Sequence, residues 1–151
     1  MLDAFCDEGV YKPVYYESES FIVFLDIRPL LPGHSLVAPK RHTLYITELN
    51  DKELIELRDL LGYVLPKLLR AYGADSYNLS INGGEHAGMV VRHLHIHIVP
   101  RSASDPMQGR IVTFYSLLQG ERRKYAKDVG KELDRLRRIF RYKGKGTQRR
   151  V

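Results

Sequence analysis

Residues 93–100 read HLHIHIVP, three histidines at every second position with aliphatic residues between them. Few patterns constrain a chain more. In a β-strand successive side chains point to opposite faces. A strand here puts His93, His95 and His97 on one face and Leu94, Ile96 and Ile98 on the other. A slip of one residue would bury the imidazoles and expose the aliphatics, so the register is strongly specified. The pattern predicts a strand over Val90–Val99, closed by Pro100, with its aliphatic face on a core and its imidazole face open to chemistry.

The rest of the chain supplies partners for that strand. Val14–Tyr16 and Phe21–Ile27 are rich in β-branched and aromatic residues and read as a hairpin. Pro29, Pro32 and Gly33 mark a turn in RPLLPGH, and His34–Ala38 reads as the next strand. Asn50 is a good helix N-cap, and Glu53 three residues on completes a capping box. Leu54, Leu57, Leu61, Val64, Leu65 and Leu68 then recur at spacings of three and four, the signature of a helix with one buried face. Pro66 should kink that helix and Gly73 should end it. Tyr77–Asn82 reads as a strand, followed by the glycine-rich loop NGGEHAG over residues 82–88. Tyr125, Val129, Leu133, Leu136 and Phe140 form a second helical stripe. After Tyr142 the sequence KGKGTQRRV has no apolar period and reads as a disordered basic tail.

The 151 residues favour a single domain. Its expected extent is 1–142, with a core over about 12–101, an extension over 102–142 and the tail over 143–151. Hydrophobic residues make up 44% and charged residues 28%, as in ordinary globular proteins. There is no apolar run of membrane-spanning length and no basic-then-apolar start. The single Cys6 cannot form an internal disulfide, and its spacing fits no zinc motif. These features point to a cytoplasmic protein. Charge is unevenly placed. Residues 121–151 hold 13 Lys and Arg against 4 Asp and Glu, whereas residues 1–120 hold 11 against 14. The basic C-terminal segment is therefore either a solvated helix and tail or a binder of polyanions such as nucleic acid.

Aligned imidazoles suit two chemistries. One is a zinc site, but His93 and His97 would stand about 13 Å apart along a strand. A metal would need His95, one neighbour and a ligand from elsewhere, such as His34, Glu85 or His86. The other is nucleophilic attack on phosphorus, in which a neutral imidazole forms a phosphoramidate that water later hydrolyses. That needs one ring nitrogen held as a donor so that the other keeps its lone pair. It also needs donors for the phosphoryl oxygens. The loop carrying Gly83, Gly84 and Gly88 could turn backbone N–H groups toward them. No metal is required for that nucleophile. The bland readings remain for His42 and His86, as structural or exposed residues, and for Lys40 and Arg41, as a solvated edge.

The segments FLDIRPLLPGHSLVAPKRH (24–42) and NGGEHAGMVVRHLHIHIVPR (82–101) together resemble the two signature blocks of the histidine triad superfamily, in order and with a helix between them. The wording is most similar to the fragile-histidine-triad branch, which hydrolyses dinucleoside polyphosphates. The resemblance implies an α+β fold with a mainly antiparallel sheet, one principal helix and a C-terminal helical extension, assembled as a homodimer. By position it makes His95 the nucleophile that takes the nucleotidyl group, and His97 the residue that contacts phosphate and leaving group. It places His93 behind them, paired with His34. Asp26 would hold ribose hydroxyls, Leu25 and Ile27 would flank the nucleoside, and Asn82 and Gly88 would line the phosphate side. The implied reaction is hydrolysis at the α-phosphate of a substituted nucleotide such as diadenosine tri- or tetraphosphate, with AMP as the transferred group. No cofactor is required, though a divalent cation can accompany the polyphosphate.

One departure stands out. The family pattern has Gln and then Ser or Thr after the loop glycine, and this chain has Met89 and Val90. Neither side chain can donate a hydrogen bond to phosphate. That keeps open a nucleotide-binding regulatory protein with little turnover, beside two further alternatives: a nucleoside phosphoramidase using the same site, and a nucleic-acid-end deadenylase using the basic C-terminus.

Overall fold

The computed structural model describes residues 5–7, 9–106 and 129–144. Five antiparallel strands form one sheet: β1 (Val14–Glu17), β2 (Phe21–Leu25), β3 (Ser35–Pro39), β4 (Ser76–Ile81) and β5 (Ile96–Arg101). Their spatial order is β1-β2-β3-β5-β4. The principal helix, α1 (Asp51–Tyr72), connects β3 to β4, and α2 (Val129–Phe140) follows the sheet in sequence. The architecture is the α+β arrangement expected from the sequence. The Tyr125 end of the second apolar stripe and tail residues 145–151 lie outside the described residues, as does most of the stretch after Arg101.

One face of the sheet carries the main core. Val23, Val37, Ile96 and Ile98 pack there against Leu57, Leu60, Val64 and Leu68 of α1 and Leu133, Leu136 and Phe140 of α2. The phase of α1 differs from the expected stripe at two positions. Leu60 is buried, while Leu54 is exposed. The helix turns Leu57, Leu60, Val64 and Leu68 to the sheet, and Leu54 falls to one side of that line. Pro66 does not interrupt α1, which runs on to Tyr72; Gly73 ends it in the left-handed conformation, φ 61°. The opposite face of the sheet has a smaller apolar patch of Phe24, Leu36 and Ala38, covered in part by Phe5 from the N-terminal segment.

Arg41 is exposed, as expected of a solvated edge, but it is also tied into an ion pair. Its guanidinium donates from Nε to Glu53 Oε1 at 2.6 Å and from Nη2 to Glu53 Oε2 at 2.8 Å and to Glu48 O at 2.8 Å. Glu53 is buried in the first turn of α1. There it exchanges hydrogen bonds with Asn50, accepting from the Asn50 N–H and donating its own N–H to Oδ1, both at 2.9 Å. The Arg41 bond and the Asn50 N–H pull the Glu53 carboxyl down to about 2. The segment leaving β3 is thereby tied to the start of α1. Lys40 is also engaged, donating to Ser18 O at 2.7 Å.

Asn50→Ala should lower the unfolding free energy by about 1 kcal/mol in urea titrations. Because the folded carboxyl of Glu53 lies below its ordinary 4.5, its contribution is full above that pH and is lost as pH falls toward 2. Glu53→Gln should therefore be less stable than wild type at pH 7, with the gap closing between pH 4.5 and 2. A gap that ignores pH would rule out the carboxylate as its source.

Candidate active site

The histidine segment is not one continuous strand. β5 begins only at Ile96, so His93 and His95 lie in the chain leading into it. His97 alone of the three sits within the ladder, opposite Leu36 of β3 and Ser80 of β4. Upstream, Leu94 donates its N–H to Thr43 O at 2.7 Å. The approach to β5 is thus strapped to the segment leaving β3. The alternation of faces still holds, with Leu94, Ile96 and Ile98 in the main core and His93 and His95 against Phe5 on the other side, but the histidine face is covered here: His93 is fully buried and His95 nearly so.

Hydrogen bonds assign each ring's proton. The Nδ1 of His95 lies 2.7 Å from His93 O. A carbonyl can only accept, so Nδ1 carries the hydrogen and Nε2 keeps its lone pair. His93 Nε2–H likewise donates to Pro39 O at 2.8 Å. His34 Nδ1 accepts the Leu30 N–H at 3.1 Å, so its proton sits on Nε2, which donates to His97 Nδ1 at 3.0 Å. His97 then carries its hydrogen on Nε2. The carboxylate of Asp26 is 3.7 Å from His34 Nδ1, too far to displace the Leu30 amide from that role.

His34 therefore pairs with His97 and not with His93, correcting the sequence expectation. The reason is geometric. His34 and His97 share a sheet face on neighbouring strands, where diagonal side chains can meet, while His93 has left the sheet. Gly33 helps set His34 in place. Its φ is 84°, and a Cβ there would stand 2.6 Å from the Tyr72 ring, so the turn admits only glycine without rearrangement.

A cavity of about 510 Å³ opens on the sheet face away from the helices. His95, His97, Leu25, Asp26, Ile27, Asn82 and Gly88, which the resemblance singled out, are brought together in its lining. His93 and His34 stand behind this lining. Ile27 is half exposed, as an apolar group awaiting a flat ligand would be. Asp26 Oδ1 accepts the Arg28 N–H at 2.7 Å, which orients the carboxylate. The expectation for the glycine loop needs correcting. The N–H groups of Ala87 and Met89 donate to Gly84 O and that of Gly88 to Glu85 O, so these three amides are spent inside the loop. Val90, by contrast, is 73% exposed and lines the cavity, because the chain here is not yet a strand.

Sequence reasoning missed the N-terminal wall. Phe5, Val10 and Tyr11 line the cavity. The Phe5 ring stands edge-on to His95 and His93, with centroids 5.3 and 5.6 Å away. The only signal was the Phe5–Cys6 pair ahead of the first strand. Burial under this wall holds the pKa of His95 below its ordinary 6.5, outweighing the His93 carbonyl, which favours the charged form.

Two groups could hold a metal ion among the described residues. Asp26, His34 and His97 form one, and Cys6, His42 and His93 the other, each with ligand atoms within 4.8 Å of one another. The metal set imagined around His95 is not formed, and Glu85 and His86 are exposed on the loop. In the second group a thiol and two imidazoles suit zinc. His93 Nδ1, left bare by the bond to Pro39, faces Cys6 Sγ at 3.5 Å. No sequence spacing shows this set, because its members come from three separate segments.

The profile of the HIT domain matches residues 8–104. The chain belongs to the HIT family. A HIT-like protein of Methanocaldococcus jannaschii is 40% identical over 101 residues, 67% of this chain and 75% of its own length. The asymmetrical bis(5'-nucleosyl)-tetraphosphatase of Schizosaccharomyces pombe is 33% identical over 110 residues, covering 73% of this chain but 59% of that enzyme. A hypothetical histidine triad nucleotide-binding protein from Sulfolobus tokodaii superposes with a TM-score of 0.63 at 29% identity, over 93% of this HIT chain and 98% of that one.

If burial holds His95 neutral, its imidazole should titrate in NMR below pH 6.5. Phe5→Ala, which admits water to the ring, should move that midpoint upward. An unmoved midpoint would show that the N-terminal wall does not desolvate His95.

Proposed function

We propose that this HIT protein hydrolyses a nucleotide with a substituted α-phosphate, with dinucleoside polyphosphates as the favoured substrates. The observation that carries the reading is the bond from His95 Nδ1–H to His93 O, which leaves Nε2 as a neutral nucleophile inside the cavity. Asp26 would accept from the ribose hydroxyls. Ile27 would lie against the nucleoside. His95 Nε2 attacks the α-phosphorus; an N–P bond forms and the P–O bond to the leaving group breaks. His97 Nε2–H would donate a hydrogen bond to the departing oxygen, stabilising the negative charge that leaves with it. Water then attacks the phosphorus; the N–P bond breaks, its electron pair returns to His95 Nε2, and the proton of the water passes to solvent, releasing the nucleoside monophosphate. The His34–Leu30 contacts keep His97 in the donor tautomer that this requires. These steps call on no metal; a divalent cation would serve only to accompany the polyphosphate. An ion held by Cys6, His42 and His93 would brace the chain behind His95. The chain matches only part of the fission-yeast enzyme, and that enzyme's substrate supports this reading by likeness alone.

Quenched reactions with α-labelled substrate should yield an acid-labile, base-stable nucleotidyl-protein, which His95→Ala should abolish while AMP binding survives. Label on another residue would rule out the assignment. Diadenosine tri- and tetraphosphate, adenosine phosphoramidate and adenylated DNA, compared as substrates, separate the hydrolase from the phosphoramidase and deadenylase alternatives. Binding of AMP with turnover of none would favour a regulatory binding protein, a reading that exposed Val90 supports.

Val90→Ser restores a donor beside the phosphate. A hydrogen bond to a charged oxygen contributes roughly 1.5–3 kcal/mol. Only the part gained in the transition state raises the chemical rate, so single-turnover rates should rise by about tenfold with little change in AMP affinity. A folded variant no faster than wild type would mean that His97 already suffices.

We also propose that the working form is a homodimer joined along β4. Tyr77, Leu79 and Ile81 share the sheet face of Ile96 and Ile98, yet each remains about two-fifths exposed. β4 is an edge strand whose open backbone groups can pair with a second copy. Leu79→Lys should shift sedimentation from dimer to monomer; a wild-type monomer would refute the interface.

A further inference from the structure

The helices α1 and α2 leave a groove of about 660 Å³ between them, on the face of the sheet opposite the nucleotide cavity. Tyr63, Pro66 and Ile139 give it an apolar floor, and Lys67, Arg70 and Arg135 form its rim. Lys131 and Arg138 lie four residues before and three after Arg135, so helical spacing puts them on the same side of α2. The cations are held in place. Lys67 Nζ sits 4.8 Å from the centre of the Tyr63 ring, and the Arg135 guanidinium 4.6 Å from that of Tyr72. Arg135 also donates to Ala71 O at 2.5 Å, which links the helices.

Of the carboxylates near these cations, Glu132 offsets Arg135 and leaves Lys67 and Arg70 as the rim's uncompensated charges beside the pair. Glu132 accepts from Tyr72 Oη at 2.7 Å and Arg135 Nη2 at 2.8 Å. Asp59, one turn before Tyr63, accepts from Arg58 at 2.8 Å. Asp134, three residues after Lys131 and four before Arg138, borders the stripe on the side away from Arg135. The small-nucleotide site cannot account for this charge, because it opens on the other side of the sheet. Of the basic residues over 121–151, Lys131, Arg135 and Arg138 thus fall along an apolar trough.

We propose that this groove binds single-stranded nucleic acid, with phosphodiesters on the Lys67, Arg70, Lys131, Arg135 and Arg138 rim and bases against the Tyr63–Pro66–Ile139 floor. A cationic groove with aromatic surface is the general solution for single strands, whose bases are free to leave the stack. A duplex would meet the same cations but has no base face to offer the floor. RNA and DNA strands share the chemistry used here.

The test uses the full chain and fluorescence anisotropy with labelled 12-nucleotide oligo-uridylate and oligo-thymidylate, from 50 to 300 mM NaCl. Both should bind at low salt. If about four phosphates are neutralised, log affinity should fall with log salt at a slope near −3. Arg70→Glu with Arg138→Glu, two exposed positions, should weaken binding at least tenfold. Lys67→Gln with Lys131→Glu should do so as well, should the first pair prove unfolded by circular dichroism. Arg92→Glu, away from the groove, should bind as wild type. Deleting residues 145–151 should cost less than either groove pair. A 12-residue polyglutamate should compete poorly, and a hairpin duplex should bind more weakly than the single strands. Salt-insensitive binding, groove variants that bind like wild type, loss of binding only on deleting the tail, or polyglutamate as effective as oligonucleotide would each overturn the proposal. Anisotropy needs no turnover, so an inactive hydrolase leaves this test intact. Conversely, hydrolysis of diadenosine triphosphate should be unchanged in the groove variants.

Discussion

The hydrogen bond from His95 Nδ1 to the carbonyl of His93 is the constraint around which the site is arranged. A neutral imidazole has one donor and one acceptor nitrogen, and only a fixed acceptor on one side guarantees a lone pair on the other. That carbonyl is itself immobilised. The His93 ring donates to Pro39 O, and the next amide, Leu94 N–H, donates to Thr43 O. The segment leaving β3 thus holds the approach to β5 from both sides. Arg41 in turn anchors that segment to the first turn of α1 through buried Glu53. A chain of tight polar contacts runs from the start of the main helix to the His95 ring.

The two faces of the sheet divide the work. The face under α1 and α2 carries the apolar core and supplies rigidity. The other carries a smaller apolar patch of Phe24, Leu36 and Ala38 with Phe5, Val14 and Ile22 packed against it, and has room for a cavity beside His95 and His97. His97 joins the two functions, since its backbone is paired on both sides in the sheet while its ring is held by His34. The basic surface falls on the helical side. Anything bound there would be separated from the nucleotide by the thickness of the sheet, and the chain could hold a polyanion and turn over a small nucleotide independently.

Much of this was legible beforehand because it depends on local rules. The Asn50–Glu53 capping box, the Gly73 stop and the strands around Phe21–Leu25 and Ser76–Ile81 follow from short-range pattern. The cavity residues Leu25, Asp26, Ile27, Asn82 and Gly88 were identified through the two signature blocks. What local pattern missed shares one cause. The alternation over His93–Ile98 holds, but the ladder begins only at Ile96, and the approach to it is bonded through Leu94 to Thr43. His93 is thereby withdrawn from the cavity, and His34 meets His97 instead. Leu54 was misplaced for a related reason, since which side of α1 is covered depends on where the sheet ends.

The sequence by itself determined the fold class, the identity of the histidine cluster and the charge asymmetry of the C-terminal segment. Each is a property of residue order and composition. Only the tertiary structure decided which nitrogen of each imidazole carries the proton, that Arg41 serves a buried carboxylate, that Phe5 walls the cavity, and that Cys6, His42 and His93 converge. Those features depend on contacts between segments distant in sequence. Hydrogen-bond direction and burial are set by what lies opposite a side chain, and no local pattern encodes that neighbour.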